Sequence, residues 1–185
     1  MENTNILTPK LILDSRASIL LPENIYEMEP ERIRLLYPNP LKPNQVFAYG
    51  DEEFWVSLTW TEAAARKEVL MTKLCQYRRM LIKKFRGLEI GEVCCVDSVI
   101  SEEKTYYFPI CTKGVTGGTF QLIFLHLIKG REMIGSACCN EGEQYSKTAL
   151  FRKIIGSVVD LTGTWEYAIR SERLYEKARQ YYEDY

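Results

Sequence analysis

The chain has 185 residues, with 24 Lys plus Arg against 25 Asp plus Glu and a formal net charge of −1. That balance supplies no basic surplus for a nucleic acid or an anionic membrane surface. A chain of this length reads as one domain, able to bury roughly 70% of its unfolded surface without a metal or disulfide staple.

The N-terminus is polar, has no cationic start before an apolar core, and reaches only three consecutive apolar residues at Leu11–Leu13, so no signal peptide is expected. The longest apolar run, Leu122–Ile128, contains His126 and falls far short of the roughly 20 residues needed to span a bilayer. The expectation is a cytoplasmic protein without membrane insertion. Lys10–Asp14 and Ala17–Leu21 read as two short strands or one bent strand, closed by Pro22. Pro30–Tyr37 suits a short helix, with proline at its start and Pro38 at its end. Residues 39–44 form a loop. Gln45–Tyr49 and Phe54–Trp60 flank Gly50–Glu53 as a hairpin.

Thr61–Phe85 is the longest expected helix, with Leu70, Leu74, Tyr77, Leu81 and Phe85 on one stripe and Gly87 as its stop. Leu88–Ile100 and Thr105–Thr112 read as strands, and Pro109 marks an edge or a bulge. The most informative stretch follows. Phe120, Leu122, Phe124 and Ile128 alternate with Ile123, Leu125 and Leu127, so this strand is apolar on both faces and needs cover above and below. Lys129–Glu132 supplies a turn and Met133–Cys139 the return strand. Leu150, Phe151, Ile154, Ile155, Val158 and Val159 then recur at helical spacing over Thr148–Val159. This order of strands, helix, antiparallel strands and helix gives an α+β class, an antiparallel sheet sandwiched by helices. No dinucleotide fingerprint or P-loop is present. The expected division is a domain over residues 1–160 and a helical extension over 161–185.

Six segments carry the resemblance of this chain to a known fold family in order: the proline-closed Ser18–Pro22 strand, the Tyr37–Pro38 step, Val46–Phe47, the long helix ending at Phe85–Gly87, the Phe120–Cys139 hairpin and Ile154–Val158. Together they resemble the Mog/PsbP-like fold family, in its bacterial DcrB-like and Eag-chaperone-like branch, over Ile12–Val159. The resemblance implies an antiparallel sheet between helices and a protein-binding role without chemistry, as in a Ran-release factor, a photosystem subunit and chaperones of secreted toxins. The C-terminal segment is additional to that pattern.

Chemistry-bearing residues are few. Cys75, Cys94, Cys95, Cys111, Cys138 and Cys139 include two vicinal pairs in strands, where neighbouring side chains face opposite ways, so reduced, partly buried thiols are expected. No C-x-x-C spacing or second histidine suggests a metal. His126, the sole histidine, reads as structural. Its catalytic version is a dyad with Cys111, Cys138 or Cys139, with Asp97 as orienter. Arg79, Lys83 and Arg86 form a basic stripe on the long helix, opposite its apolar stripe, with Arg78 and Lys84 on the flanks. Without exposed aromatics between these cations, nucleic acid is a poor partner. In the tail, Tyr167, Leu174, Ala178, Tyr181 and Tyr185 share one helical face, either packed on the domain or serving as a dimer seam or partner site with Trp165 and Tyr167 as anchors. The function expected is a non-catalytic cytosolic protein-interaction module, a chaperone, adaptor or immunity-like protein, with no cofactor and no catalytic residue. Its partner-binding candidates are Arg79, Lys83, Arg86, Trp165, Tyr167 and Tyr181. The alternatives are a small thiol hydrolase using His126 and a cysteine, and a small-ligand or lipid binder with a cavity between sheet and long helix.

Overall fold

Lys129 and Gly130 both hold left-handed backbone, at φ 53° and 70°, the conformation of a two-residue hairpin turn whose twist matches that of the flanking strands. The turn joins β9 (Thr119–Ile128) to β10 (Arg131–Asn140), with Arg131 opposite Ile128 and Asn140 opposite Thr119. Arg131 and Glu132, expected in the turn, therefore belong to the strand. The computed structural model describes residues 6–37, 42–98, 100, 104–113 and 117–162.

This hairpin is the centre of an antiparallel sheet. Beyond β10 lie β5 (Phe54–Ala64), β4 (Gln45–Tyr49) and β3 (Ile25–Glu27); beyond β9 lie β8 (Lys104–Thr112) and the short β6 (Glu89–Ile90) and β7 (Cys94–Asp97), both paired to β8. A second, three-stranded sheet contains β1 (Leu7–Ile12), β2 (Ala17–Pro22) and β11 (Val159–Asp160). β1 and β2 are two antiparallel strands, not one bent strand, joined through left-handed Leu13, Asp14 and Ser15. The helices are α1 (Pro30–Leu36), α2 (Leu70–Lys84) and α3 (Gln144–Ile155).

Both faces of β9 are covered, as its double alternation requires. Phe120, Leu122, Phe124 and Ile128 face α3 and the small sheet, in a core with Phe54, Phe151, Ile154, Ile155 and Ile19. Leu125, with Ile123 and Leu127, faces the other way, against Leu70 and Leu74 of α2 and Phe108 and Ile110 of β8. On that second face α1 covers Val46 and Ala48 through Ile33, and the Trp55 indole N–H donates to the Tyr37 hydroxyl at 3.0 Å. The result is an α+β domain with its antiparallel sheet between helical layers.

Four expectations are corrected. Thr61–Ala64 is strand, because β5 stays paired to β10 as far as Ala64 opposite Arg131, and the Ala65 N–H donates to the Gly130 carbonyl; tertiary pairing outweighs the helix preference of Glu-Ala-Ala-Ala. Leu88–Ile100 is broken into β6 and β7. Three residues, Gly91–Val93, stand opposite two, Phe108 and Pro109, which makes a bulge. The Pro109 carbonyl accepts from Gly91 N at 2.9 Å, so the side on which proline lacks a donor faces this interruption and costs β9 nothing. Phe85 leaves the apolar stripe: it caps α2 and is 46% exposed. Helix α3 begins earlier, at Gln144, and stops at Ile155, so Val159 reaches the core as part of β11. The helix expected over Glu166–Tyr185, with Trp165, Tyr167 and Tyr181, lies outside the described residues.

Gly135 fixes the spacing at the middle of the hairpin. A Cβ there would stand 2.1 Å from Cζ of the fully buried Phe124 ring opposite it. Gly135→Ala is therefore expected to cost about 1–3 kcal/mol through overpacking, measured by urea unfolding. Phe124→Leu in the same chain should return part of that loss, whereas strict additivity of the two changes would contradict the contact.

Candidate functional site

Helix α2 is joined to the sheet by polar links as well as by apolar burial. Leu70 and Leu74 are its buried residues, worth about 2 kcal/mol each. One turn apart, Lys73 and Tyr77 reach the same carboxylate, that of Glu132 on β10, which is 1% exposed. Lys73 forms its salt bridge to Oε1 and also donates to the Ala64 carbonyl at 3.1 Å, and the Tyr77 hydroxyl donates to Oε2 at 2.5 Å. A buried carboxylate is tolerable only with such a shell of donors. Burial, then this hydrogen bond, pushes the Tyr77 phenol up to about 12. Further along, Arg78 donates to the Gly91 carbonyl at 2.6 Å and pairs with Glu92 at 2.7 Å, tying α2 to the β6–β7 bulge.

The opposite surface of α2 carries Arg79 and Lys83, both exposed. Arg86, expected on the helix, sits in the turn after it, where Gly87 takes φ 92°; it is exposed too. No ion pair reaches these three cations among the described residues. Around them lie large apolar side chains open to water: Met71, Met80 and Ile82 on the helix flanks, and Phe85 under the Lys84 ammonium at 5.4 Å. Met80, Ile82 and Phe85 are each about half exposed, at 52%, 48% and 46%. Apolar groups mixed with uncompensated cations give this face an interface-like composition. The signal for Ile82 and Met80 was present in the helical wheel, since both lie off the apolar stripe.

Cys111, Cys138 and Cys139 do not come together with His126. His126 is 3% exposed and opposes Met133, whereas Cys111 and Cys139 both oppose Phe120. Six residues of strand separate those registers, about 20 Å. Cys138 opposes Gln121 and points to the other face. Asp97 is exposed and pairs with Lys104 at 3.5 Å. Burial, joined by the neighbouring Cys139, pushes the Cys138 thiol up to about 12; burial and then Glu143 push Cys139 up to about 11. Both stay protonated thiols at neutral pH, whereas a nucleophile needs the thiolate. All six cysteines are free. Among the described residues no group of three His, Cys, Asp or Glu side chains converges on a metal position, and no helix is long and apolar enough to cross a membrane.

No known protein-family model matches the sequence. No curated protein matches it. Among solved structures, the PsbP protein of the cyanobacterium Synechocystis, CyanoP, aligns over 84% of this chain and 93% of its own, with a TM-score of 0.57 and 10% identity. The chain has the PsbP-like fold. Looser likenesses are to the Saccharomyces cerevisiae Ran-binding protein Mog1p (TM-score 0.41, 8% identity, 90% of this chain and 93% of that one) and to LpqN of Mycobacterium tuberculosis, involved in cell envelope biogenesis (TM-score 0.49, 10% identity, 83% and 89%). At 10% identity the likeness to CyanoP shows the fold alone and carries no activity across.

Within the PsbP-like frame, Tyr77 provides a check on the α2 attachment. Its folded pKa lies above the usual value of 10, so the folded state holds its proton more tightly than the unfolded chain. That contribution is fully present below pH 10 and is lost as pH rises toward about 12. Urea unfolding between those limits is expected to show stability falling with pH, and Tyr77→Phe should flatten the fall. An unchanged slope in Tyr77→Phe would contradict the Tyr77–Glu132 bond.

Proposed function

We propose that this protein is a non-catalytic protein-interaction module, a chaperone, adaptor or immunity-like protein, that binds an acidic partner through the outer face of α2. The carrying observation is the pairing on that face of half-exposed Met80, Ile82 and Phe85 with the exposed cations Arg79, Lys83 and Arg86. An acidic surface with apolar knobs would cover the first set and neutralise the second. Association would be steered by charge and weakened by salt. The separation of His126 from Cys111, Cys138 and Cys139 and the protonated state of Cys138 and Cys139 weigh against a thiol hydrolase using them. The cytoplasmic location, the DcrB-like or Eag-chaperone-like branch, the boundary at residues 160/161 and a homodimer seam or second contact through Trp165, Tyr167 and Tyr181 belong to this same reading.

The test is copurification from the native cells of tagged full-length protein against the triple variant Arg79→Glu/Lys83→Glu/Arg86→Glu. Arg34→Glu, an exposed reversal on α1, serves as control. Wild type and control are expected to retain a stoichiometric protein at low salt, and the triple variant to lose it while melting at the same temperature. Equal retention by all three, or no stoichiometric protein with wild type, would sink the reading.

A further inference from the structure

Helix α3 packs on β10, β9 and β2 and leaves the strip of sheet over β8 and β6 open beside its first turns. An open cleft of about 520 Å³ results, within the roughly 300–1,000 Å³ range of small-molecule sites. Pro109, Cys111 and Phe120 form its floor, Gln144, Tyr145 and Thr148 its helical wall, and β6 its other wall. That second wall stays low because Gly91 carries no side chain, and a Cβ there would stand 2.5 Å from Cγ of Pro109. Tyr145 stands at the mouth and is 89% exposed, the most exposed large side chain of apolar character among the described residues. An unpacked aromatic over an apolar floor is what a flat ligand would cover.

The charges around the floor are unequal. Glu89 lines the cleft and is paired with Lys113. Glu141 lies beside Gly118, at the edge of the floor. Burial pushes the Cys111 thiol up, and Glu89 and Glu141 add to that, while Lys113 only partly opposes them. Two carboxylates and one ammonium thus border the floor. On α3, Lys147 pairs with Glu53 at 3.3 Å, and Arg152 lies toward Tyr107, further along β8. Lys113 bears on both Glu89 and Glu141, so one ammonium stands against two carboxylates.

We propose that this cleft binds a small organic cation of the arylalkylamine class, with its ring on Pro109 and Phe120 beneath Tyr145 and its ammonium toward Glu89 and Glu141. The ring gains apolar burial and aromatic contact, and the ammonium gains the carboxylates and the Tyr145 face. Gln144, already accepting from the Cys111 thiol at 3.6 Å, sets the depth to which the ring can enter. The site lies on the other face of the sheet from α2 and stands or falls independently of the partner proposed for that helix.

The deciding experiment titrates the full chain with phenethylamine, its neutral counterpart 2-phenylethanol and its anionic counterpart phenylacetate. The amine is expected to bind about fivefold or more tighter than the alcohol, a modest ratio because Glu89 is solvent-exposed and screened, with the acid weakest. Saturating amine should slow iodoacetamide alkylation of Cys111 and leave Cys94 and Cys95 at their original rates. Glu89→Gln should bring amine and alcohol close to equal. Thr148→Trp, which fills the cleft from the α3 wall, should abolish binding while circular dichroism shows the native melt; if that variant does not fold, Cys111 protection in the wild-type chain decides. Equal affinity for the three probes, tighter binding of the acid, or bound amine without protection of Cys111 would overturn the proposal.

Discussion

Phe124 and Gly135 face each other across the central pair of strands with no room for a single added carbon, and the rest of the domain is arranged around that contact. The ring fills the space over β10 that the missing side chain leaves, which lets the fully buried Phe54, Phe151 and Ile154 close over it. Because β9 alternates apolar groups on both faces, neither can be left to water. The chain answers with α3 and the β1–β2–β11 sheet on one side and α1 and α2 on the other. These two layers are unequal. On the first, α3 buries Phe151, Ile154 and Ile155 completely; on the second, α2 buries two leucines and relies on Glu132, Lys73 and Tyr77 for the remainder.

The proposed function rests on that inequality. The buried side chains of the central strands pack into cores on both faces. His126 and Cys139 accordingly sit where a β-hairpin register puts them, about 20 Å apart along the strand. What remains open is peripheral: the outer surface of α2, with its cations and half-exposed apolar side chains, and the strip beside α3 that no helix covers. A buried ion pair adds little net stability over an apolar contact but specifies position. Glu132 thereby sets the rotation of α2 about its axis, and so decides that Arg79 and Lys83 face solvent while Leu70 and Leu74 do not.

Much of this was legible from residue order. Period-two alternation identified the faces of β9, and Pro30 placed the start of α1, because both signals are local and few alternatives compete with them. The resemblance to the Mog/PsbP-like family gave the same architecture that the PsbP-like fold of CyanoP displays. Other features depend on pairing that no short window contains. Thr61–Ala64 carries a helical composition and becomes strand because β10 lies alongside. Glu132 looked like a turn residue, yet the left-handed Lys129–Gly130 pair completes the turn in two residues and leaves the carboxylate inside the sheet. The cleft draws on β6, β8, β9 and α3, spread over residues 89–148, so no spacing rule could announce it. On α2 the cationic stripe was readable from helical periodicity, while the exposure of Phe85 was not, since it follows from where the helix stops.

The most direct measurement is native-state amide hydrogen exchange across the whole chain. If α2 is a peripheral layer pinned to a sealed sheet, amides of β5, β9 and β10 will exchange only through global unfolding, and those of α2 will exchange through a separate opening of lower free energy. Amides of α2 as strongly protected as those of β9 and β10 would make that helix part of the core and contradict its description as a peripheral layer.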